Sequence, residues 1–298
     1  MSNLRDVRLR MRAIEQTLQV TKAMNLISTA KLRKGRKMLA DTVPYFSRIQ
    51  KSMFDILSSE KNIDSEFFKK HKGDSEPPRN AIIVITSDKG LAGGYNANIY
   101  RRVDELCKKM QNPVLILIGG NVGYRYFGHS PFVILENFSF HPQIPTVEHA
   151  GEVSEYVVSQ LLWGIFDSLH IVYTNMFSMV KLLPVDHQII PLVKEKIQED
   201  IFEIGGTKRV DLKFEFLPST EAVFDTLVPQ YIKGVIYGAM VEAYASEQSA
   251  RMKAMDEASK SAEDMLASLR ISYNRARQAG ITQEMAEITG GSTALADR

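Results

Sequence analysis

Apolar and small residues recur every seven positions at both ends of the chain. Near the N-terminus one line of this repeat contains Leu4, Met11, Leu18, Asn25, Leu32 and Leu39, and the next contains Val7, Ile14, Thr21, Ser28 and Gly35. Near the C-terminus the lines are Met255, Ala262, Leu269 and Ala276, and Ala258, Met265, Ser272 and Ala279. A sustained spacing of seven is typical of two helices wound into a coiled coil. Because the segments lie at opposite ends of one chain, we expect them to pair antiparallel.

The distribution of proline allows long helices at both ends. All eleven prolines lie between Pro44 and Pro229, and proline interrupts helices. We therefore predict one helix from about residue 2 to 58 and another from about Ser219 to Thr289, with a bend near Pro229. The first would be roughly 85 Å long at 1.5 Å per residue, longer than the diameter of about 50 Å expected for a globular chain of this size. The alternative is two amphipathic helices packed on an ordinary core.

The middle of the chain alternates short apolar runs with helical patterns, which predicts a Rossmann-like α/β domain with a mainly parallel sheet. The predicted strands are 81–88, 113–120, 168–176, 180–183 and 210–217, and the predicted helices are 96–110, around 121–127 and 147–166. Trp163 is expected to pack inside this domain. The whole chain then divides into an N-terminal coiled-coil helix (1–60), a polar linker (61–79), a central α/β domain (80–217) and a C-terminal coiled-coil helix (218–298).

Charge is distributed unevenly along a chain of ordinary composition. The sequence is 44% hydrophobic and 24% charged, with a formal net charge of +2, yet residues 1–40 contain ten Lys or Arg against Asp6 and Glu15. A solvated helix face would tolerate this excess. The other interpretation is a partner with an acidic surface, either nucleic acid or an acidic protein element.

The ends and the apolar runs do not resemble targeting or membrane segments. The Arg-rich start is faintly like a transit peptide, but it continues without a break into the helical pattern, so we interpret it as mature structure. The apolar runs near 81 and 113 are too short to span a bilayer. A role at a membrane would therefore depend on a partner.

The sequence indicates no catalytic centre and no metal or cofactor site. The loop 87–98 follows a strand and opens a helix, but it lacks the glycine spacing of a dinucleotide or phosphate loop. Its Asp88, Gly93, Gly94 and Asn96 favour a tight turn and a helix start, although nucleotide binding remains an alternative. The six histidines are scattered, and the single cysteine, Cys107, is expected to be packed rather than nucleophilic.

The end of the C-terminal helix carries a possible partner surface. Arg277 and Gln278 lie beside Ile281, Thr282 and Met285 over two predicted turns. Apolar positions continue there past the heptads, where the N-terminal helix would not reach to cover them. A partner would then cover them; the alternative is a solvated face with ordinary core contacts.

Four separated motifs give the chain a resemblance to a known family. They are QVTKAMNLISTAKLRK (19–34), ITSDKGLAGGYNAN (85–98), ASEQSARMKAMDEASKSA (245–262) and YNRARQAGITQEMAEITGG (273–291). In this order, and over essentially the full length, the chain resembles the gamma subunit of the rotary F-type ATP synthase. The family implies that the terminal helices form an antiparallel coiled coil inside a ring of three alpha and three beta subunits. The α/β domain would be a foot on the membrane c-ring beside the epsilon subunit.

The resemblance also implies a function and a set of contact residues. Rotation of the shaft would couple proton or sodium ion transport through the c-ring to ATP synthesis and hydrolysis at the alpha–beta sites. The chain itself would then be no enzyme and hold no cofactor, and it would lie peripherally on the cytoplasmic face of a bacterial plasma membrane, or on the inner face of a mitochondrial or thylakoid membrane. The family's contacts with the ring fall on Arg277, Gln278, Thr282 and Glu284, with Met24 expected to face the same region.

Three departures from the family's pattern and two rival functions remain. Ala92 and Tyr95 stand where many members have Cys and Leu, and Gly280 stands where Ala or Ser is common, which would make that turn more pliable. One rival is a basic coiled-coil protein that binds nucleic acid or acts as a scaffold. The other is an α/β enzyme that uses a nucleotide.

Overall fold

The structure is a computed structural model that describes residues 4–59, 63, 65–68, 79–140, 144–178, 181–192 and 219–296. Its helices are α1 (Leu4–Ser59), α2 (Tyr95–Cys107), α3 (Asn121–Phe127), α4 (Val147–Leu162) and α5 (Thr220–Ala296), with a 3-10 turn at Glu66–Phe68. Its strands are β1 (Asn80–Ile85), β2 (Pro113–Ile118), β3 (Val133–Phe138), β4 (Ser168–Met176) and β5 (Leu182–Ile190). The two long terminal helices predicted from the proline distribution are confirmed, with 56 and 77 residues.

The chain forms two compact units that share both long helices. The first, the helix-pair unit, consists of α1 up to Ser28 and α5 from Arg251 onward, and the second, the central unit, spans Thr29–Ala250. The central unit therefore contains the sheet, the second half of α1 and the first part of α5. The division at residues 60, 79 and 217 stays a prediction, because much of 60–79 and all of 193–218 lie outside the described residues.

The sheet of the central unit has the strand order β3-β2-β1-β4-β5. β1 pairs in parallel with both β2 and β4, β2 pairs in parallel with β3, and β5 runs antiparallel to β4. The predicted mainly parallel α/β sheet is thus confirmed. In β1 the side chains alternate between two faces, since Ile83 joins a core built with α1, α4 and α5, whereas Ile82 and Val84 join a core built with α2 and α3.

Within the central unit α1 and α5 approach each other closely at two glycines. A Cβ atom on Gly234 of α5 would overlap the ring of Phe46 on α1, and a Cβ on Gly35 of α1 would lie 3.1 Å from the ring of Tyr244. Phe46 is buried, and its ring lies 5.9 Å from that of Tyr237. Glycine is therefore required at position 234 because a packed aromatic ring occupies the space of a side chain.

Two sheet predictions and the placement of Trp163 need correction. The strand β3 was not predicted, because it is an edge strand whose residues are all exposed or half-buried, including Glu136 and Asn137. β5 continues well beyond the predicted 180–183, and the predicted strand at 210–217 lies outside the described residues. Trp163 is 73% exposed just after the end of α4, whereas Phe166, three residues later, is buried in the core.

Candidate partner-binding surface

The helix-pair unit is antiparallel, as predicted. Lys22 lies 2.7 Å from Glu263, and Arg8, nearer the start of α1, donates a 2.8 Å hydrogen bond to the hydroxyl of Tyr273, nearer the end of α5. The Arg8 guanidinium also lies 5.6 Å from the centroid of the Tyr273 ring. These contacts show which residue of one helix faces which residue of the other, and this alignment decides which parts of each helix remain uncovered.

The seam between the helices matches the predicted α1 lines but only one of the predicted α5 lines. From Leu4 to Ser28 both α1 lines are buried or half-buried, and so is the α5 line from Met255 to Ala276. The other α5 line was wrong: Met265 is 50% exposed, whereas its neighbour Leu266 is 5% exposed. The seam instead continues through Ser259, Leu266 and Tyr273, one residue later. The line through Met265 and the line through Leu266 both keep a spacing of seven and contain similar residue types. The sequence pattern therefore could not show which of the two lines faces α1.

The end of α5 is an uncovered surface, which we call the tip (residues 277–289). Every side chain of the tip is exposed. Ile281, Met285 and Ile288 are 49%, 63% and 73% exposed and lie four and then three residues apart, so they form one apolar stripe along the helix. Grouped exposed apolar side chains mark interaction sites, so the tip is a candidate partner-binding surface.

Four of the five predicted contact residues lie on the tip, beside this stripe. Helical spacing places Arg277 and Glu284, seven residues apart, along one border of the stripe, and Gln278 and Thr282, four apart, along the other. The Thr282 hydroxyl donates a 3.0 Å hydrogen bond to the carbonyl of Gln278, so it is bonded within the helix. The structure brings these four together, while their contact with a ring remains a prediction.

The fifth predicted residue, Met24, lies elsewhere. It is half-buried between Lys22, which pairs with Glu263, and Asn25, which donates a 3.1 Å hydrogen bond to the carbonyl of Met252. Arg277 begins two heptads beyond Glu263, about 21 Å further along the helix. Met24 therefore does not face the tip from the other helix. The motif alone could not reveal this, since it carries no information on the alignment of the two helices.

A second exposed apolar line on α1 was missed in the sequence. Leu9, Val20 and Ile27 are 54%, 57% and 55% exposed, and their spacing of eleven and seven places them on one face of the helix. In the sequence, these three apolar residues belong to neither of the seven-residue lines of α1, which indicates that they do not lie in the seam. The helix-pair unit thus exposes apolar side chains on α1 as well as on the tip.

The loop 87–94 of the central unit forms the predicted turn and helix start. Gly93 adopts a positive φ of 58°, and α2 begins at Tyr95 directly after Gly94. The Asn96 side chain accepts a 3.1 Å hydrogen bond from the backbone of Ser87 and donates a 2.7 Å bond to its hydroxyl. Asn96 therefore ties the loop back onto the end of β1.

The crevice at the carboxyl ends of β1 and β2 is largely filled by the protein itself. Open α/β sheets bind nucleotides at such crevices, with glycines that let phosphate approach the backbone. Here the glycines face side chains of this chain instead: a Cβ on Gly120 would overlap the Asp88 carboxylate, and a Cβ on Gly123 would overlap the Thr86 hydroxyl. The remaining cavity is about 60 Å³, well below the roughly 300 Å³ of the smallest typical ligand pockets. This geometry weighs against a nucleotide-using enzyme.

Cys107 is buried at the end of α2, as expected for a packed residue. Burial, with a smaller contribution from the charge of Asp104, raises the pKa of its thiol to about 12. We expect iodoacetamide to leave Cys107 unmodified in the folded chain at pH 8 and to alkylate it in denaturant, as measured by mass spectrometry. Since the pKa of this acid is raised on folding, the thiol's contribution to stability is lost as pH rises from about 9 toward 12. Rapid alkylation of the folded chain would contradict this account.

Neither metal clusters nor membrane-spanning helices occur in the part of the chain that the structure describes. No three His, Cys, Asp or Glu side chains of those residues are grouped so as to hold a metal ion. None of the helices found there combines the length and the apolar character needed to cross a membrane.

Comparison with known proteins identifies the chain's relatives. The family model described as ATP synthase matches residues 3–295. The ATP synthase gamma chain of Acetivibrio thermocellus is 41% identical over 297 residues, which cover 99% of this chain and 100% of that protein. The gamma chain of Ruminiclostridium cellulolyticum is 39% identical, with 99% of each chain covered. In a solved Euglena gracilis mitochondrial ATP synthase, one chain matches with a TM-score of 0.69 and 19% identity, covering 98% of this chain and 94% of that one.

The fold with its mainly parallel α/β sheet and two long, paired terminal helices is thus shared with a chain of a solved ATP synthase. The sequence matches over nearly the full length show the family as well as the fold. The chain belongs to the ATP synthase gamma-chain family. Its function is therefore that of the central rotor stalk of an F-type ATP synthase, and the resemblance read from its motifs is confirmed.

Proposed function

We propose that the helix-pair unit is a stiff axle that turns inside a ring of three alpha and three beta subunits. The observation that carries this proposal is the tip, where Ile281, Met285 and Ile288 are exposed and polar side chains border them. Exposed apolar side chains such as these are stabilised when a surrounding protein surface removes them from water. The apolar line of Leu9, Val20 and Ile27 on α1 supports contact with the ring on that helix too.

The coupling would be mechanical rather than electrostatic. The cations of α1, such as Arg5, Arg10 and Arg12, are exposed and suit acidic elements on the beta subunits. An exposed ion pair contributes only about 0–1 kcal/mol, so a few of them cannot transmit the free energy of ATP synthesis. Steric pushing by an asymmetric shaft would then force each beta subunit open or closed, and the cations would bias contact without holding it.

The central unit would be the foot that joins the axle to the membrane sector, with the α/β part at 80–217. We propose the c-ring and the epsilon subunit as its partners, at the cytoplasmic face of a bacterial plasma membrane. The matching Euglena gracilis chain comes from an assembly of OSCP, F1 and c-ring, which supports the partnership with the c-ring. The chain would hold no active site of its own, a proposal that the filled crevice beside Asp88 and the buried thiol of Cys107 support.

Arg277→Ala and Gln278→Ala are expected to weaken coupling without weakening the fold. Both side chains are exposed on the tip, so truncation removes little packing within the chain. We expect ATP-driven ion pumping by the assembled complex to fall about threefold to tenfold, equivalent to about 0.7–1.4 kcal/mol. Helicity and thermal unfolding of the isolated chain should stay at the level of the parent protein, as measured by circular dichroism.

The control and the deciding outcomes come from the same helix. Lys260→Ala removes an exposed cation that pairs with Asp256 in the covered part of α5, and it should leave pumping near the parent level. Equal loss of helicity and pumping in the tip variants would contradict the proposal. Co-expression with alpha and beta subunits should give a stable complex, whereas steeply salt-dependent binding of DNA or RNA without such a complex would favour the rival function.

A further inference from the structure

We propose that a small polar layer within the helix seam, formed by Thr21, Asn25 and Ser259, fixes the register of α1 against α5. This inference rests on the proposed function, because the register decides how far the tip extends past the start of α1. A polar residue at a single buried position is known to specify the alignment of coiled coils at a cost in stability. Thr21, Asn25 and Ser259 are then positioning residues, since they act on the ring only through the tip.

The hydroxyl groups of Thr21 and Ser259 meet inside the seam. Thr21 is 7% exposed and Ser259 is 8% exposed, and their oxygens lie 2.8 Å apart across the two helices. The Thr21 hydroxyl also reaches the carbonyl of Leu18 at 3.0 Å, and the Ser259 hydroxyl reaches that of Met255 at 2.8 Å. Each hydroxyl has one proton: Thr21 donates its proton to the Leu18 carbonyl, and Ser259 can donate its own to the Thr21 oxygen across the seam instead of to the Met255 carbonyl. The bond between the helices therefore forms only where the two oxygens are aligned.

Asn25 adds a second bond between the helices one turn further along α1. Its side-chain amide donates a 3.1 Å hydrogen bond to the backbone carbonyl of Met252. An amide can make this bond only where the two backbones come close, and the short side chains of Thr21 and Ser259 permit that approach. The three residues therefore form one hydrogen-bonded layer of the seam.

Displacement by one heptad would remove this layer. Thr21 would then face either Leu266 or Met252, neither of which carries a hydroxyl, and the bond between the two hydroxyl groups would be lost. At Ala262 and Ala276 the α5 seam resists such a slip weakly, because alanine presents little shape to its neighbours. A slip of seven residues shifts the tip by about 10 Å along the axis, which would carry Arg277 and Gln278 away from their contacts.

The register can be measured in the isolated full-length chain by the distance between two spin labels. Arg12→Cys and Ala286→Cys place the labels on exposed positions of α1 and α5, and the buried Cys107 is protected from labelling. With Thr21, Asn25 and Ser259 in place, we expect one narrow distance distribution. In the variant Thr21→Val/Asn25→Leu/Ser259→Ala, we expect a second population displaced by about 10 Å, although the helices remain paired.

Matched variants separate register from general stability. Thr17→Val and Ser261→Ala make the same kinds of change at exposed positions on the same helices, and both should keep the single distance. Thr21→Ser/Ser259→Thr exchanges the two hydroxyl residues and should also keep it. A single, equally narrow distance in the apolar triple variant would overturn the proposal. Because this readout needs no ring, it can fail while the rotor function stands, and the pumping assay can fail while the register layer stands.

Discussion

Gly234→Ala is expected to destabilise the chain by about 2 kcal/mol, as an overpacked core does. Alanine normally stabilises a helix by about 1 kcal/mol relative to glycine, but at position 234 its Cβ would overlap the buried ring of Phe46. The same substitution at Gly280, where nothing lies within 4 Å, should stabilise the local helix by about 1 kcal/mol. The same substitution of glycine by alanine is thus expected to lower stability at one position of α5 and to raise it at another.

Thermal and denaturant unfolding of the central unit measures the loss of stability expected for Gly234→Ala. Hydrogen exchange at residues 277–289 measures the gain expected for Gly280→Ala. The double variant Gly234→Ala/Phe46→Leu should recover part of the loss, because a smaller, flexible side chain gives room to the new methyl group. Destabilisation at both glycines, or stabilisation at both, would contradict the packing described here. Absence of recovery in the double variant would show that the ring of Phe46 is not the obstacle.

Leu266→Glu is expected to separate the helix pair, whereas Met265→Glu is expected to leave it nearly unchanged. Leu266 is 5% exposed in the seam and its neighbour Met265 is 50% exposed. A carboxylate at position 266 loses the burial of leucine and must leave water, a cost of about 3 kcal/mol or more. ATP-driven pumping should be lost with it, because an unpaired axle cannot remain stiff.

Hydrogen exchange over residues 4–28 and 251–276 measures this pair of variants directly. Protection should collapse in both segments for Leu266→Glu and persist for Met265→Glu. The opposite result would restore the seam predicted from the sequence, which ran through Met265. Equal effects would show that neither line alone faces α1.

The sequence predicted the helices of this protein better than the alignment between them. Seven-residue spacing and the absence of proline determine that the ends are long paired helices, since these are local properties of each segment. The choice between Met265 and Leu266 depends on the partner helix, because both lines keep the spacing. The same limit explains Met24, whose level relative to Arg277 is shown only by contacts between the helices, such as that of Lys22 with Glu263.

In the central unit, buried strands were predicted and the edges of the sheet were not. β1 and β2 are continuous apolar runs because both of their faces are covered. The edge strand β3 mixes Val133 with Glu136 and Asn137, which weakens the apolar signal. Trp163 shows the converse, since its size and apolar character predict burial while its place after the end of α4 leaves it exposed. The filled crevice beside Asp88 also depends on contacts that local sequence does not carry.

Rotation of the chain inside a fixed ring tests the central claim most directly. The complex would be attached to a surface through its beta subunits, with a bead bound to Lys108→Cys, an exposed position of the central unit. The account predicts that the bead turns in one direction when ATP is added and stops when ATP is removed. A bead that stays in place while the same complexes hydrolyse ATP would contradict it.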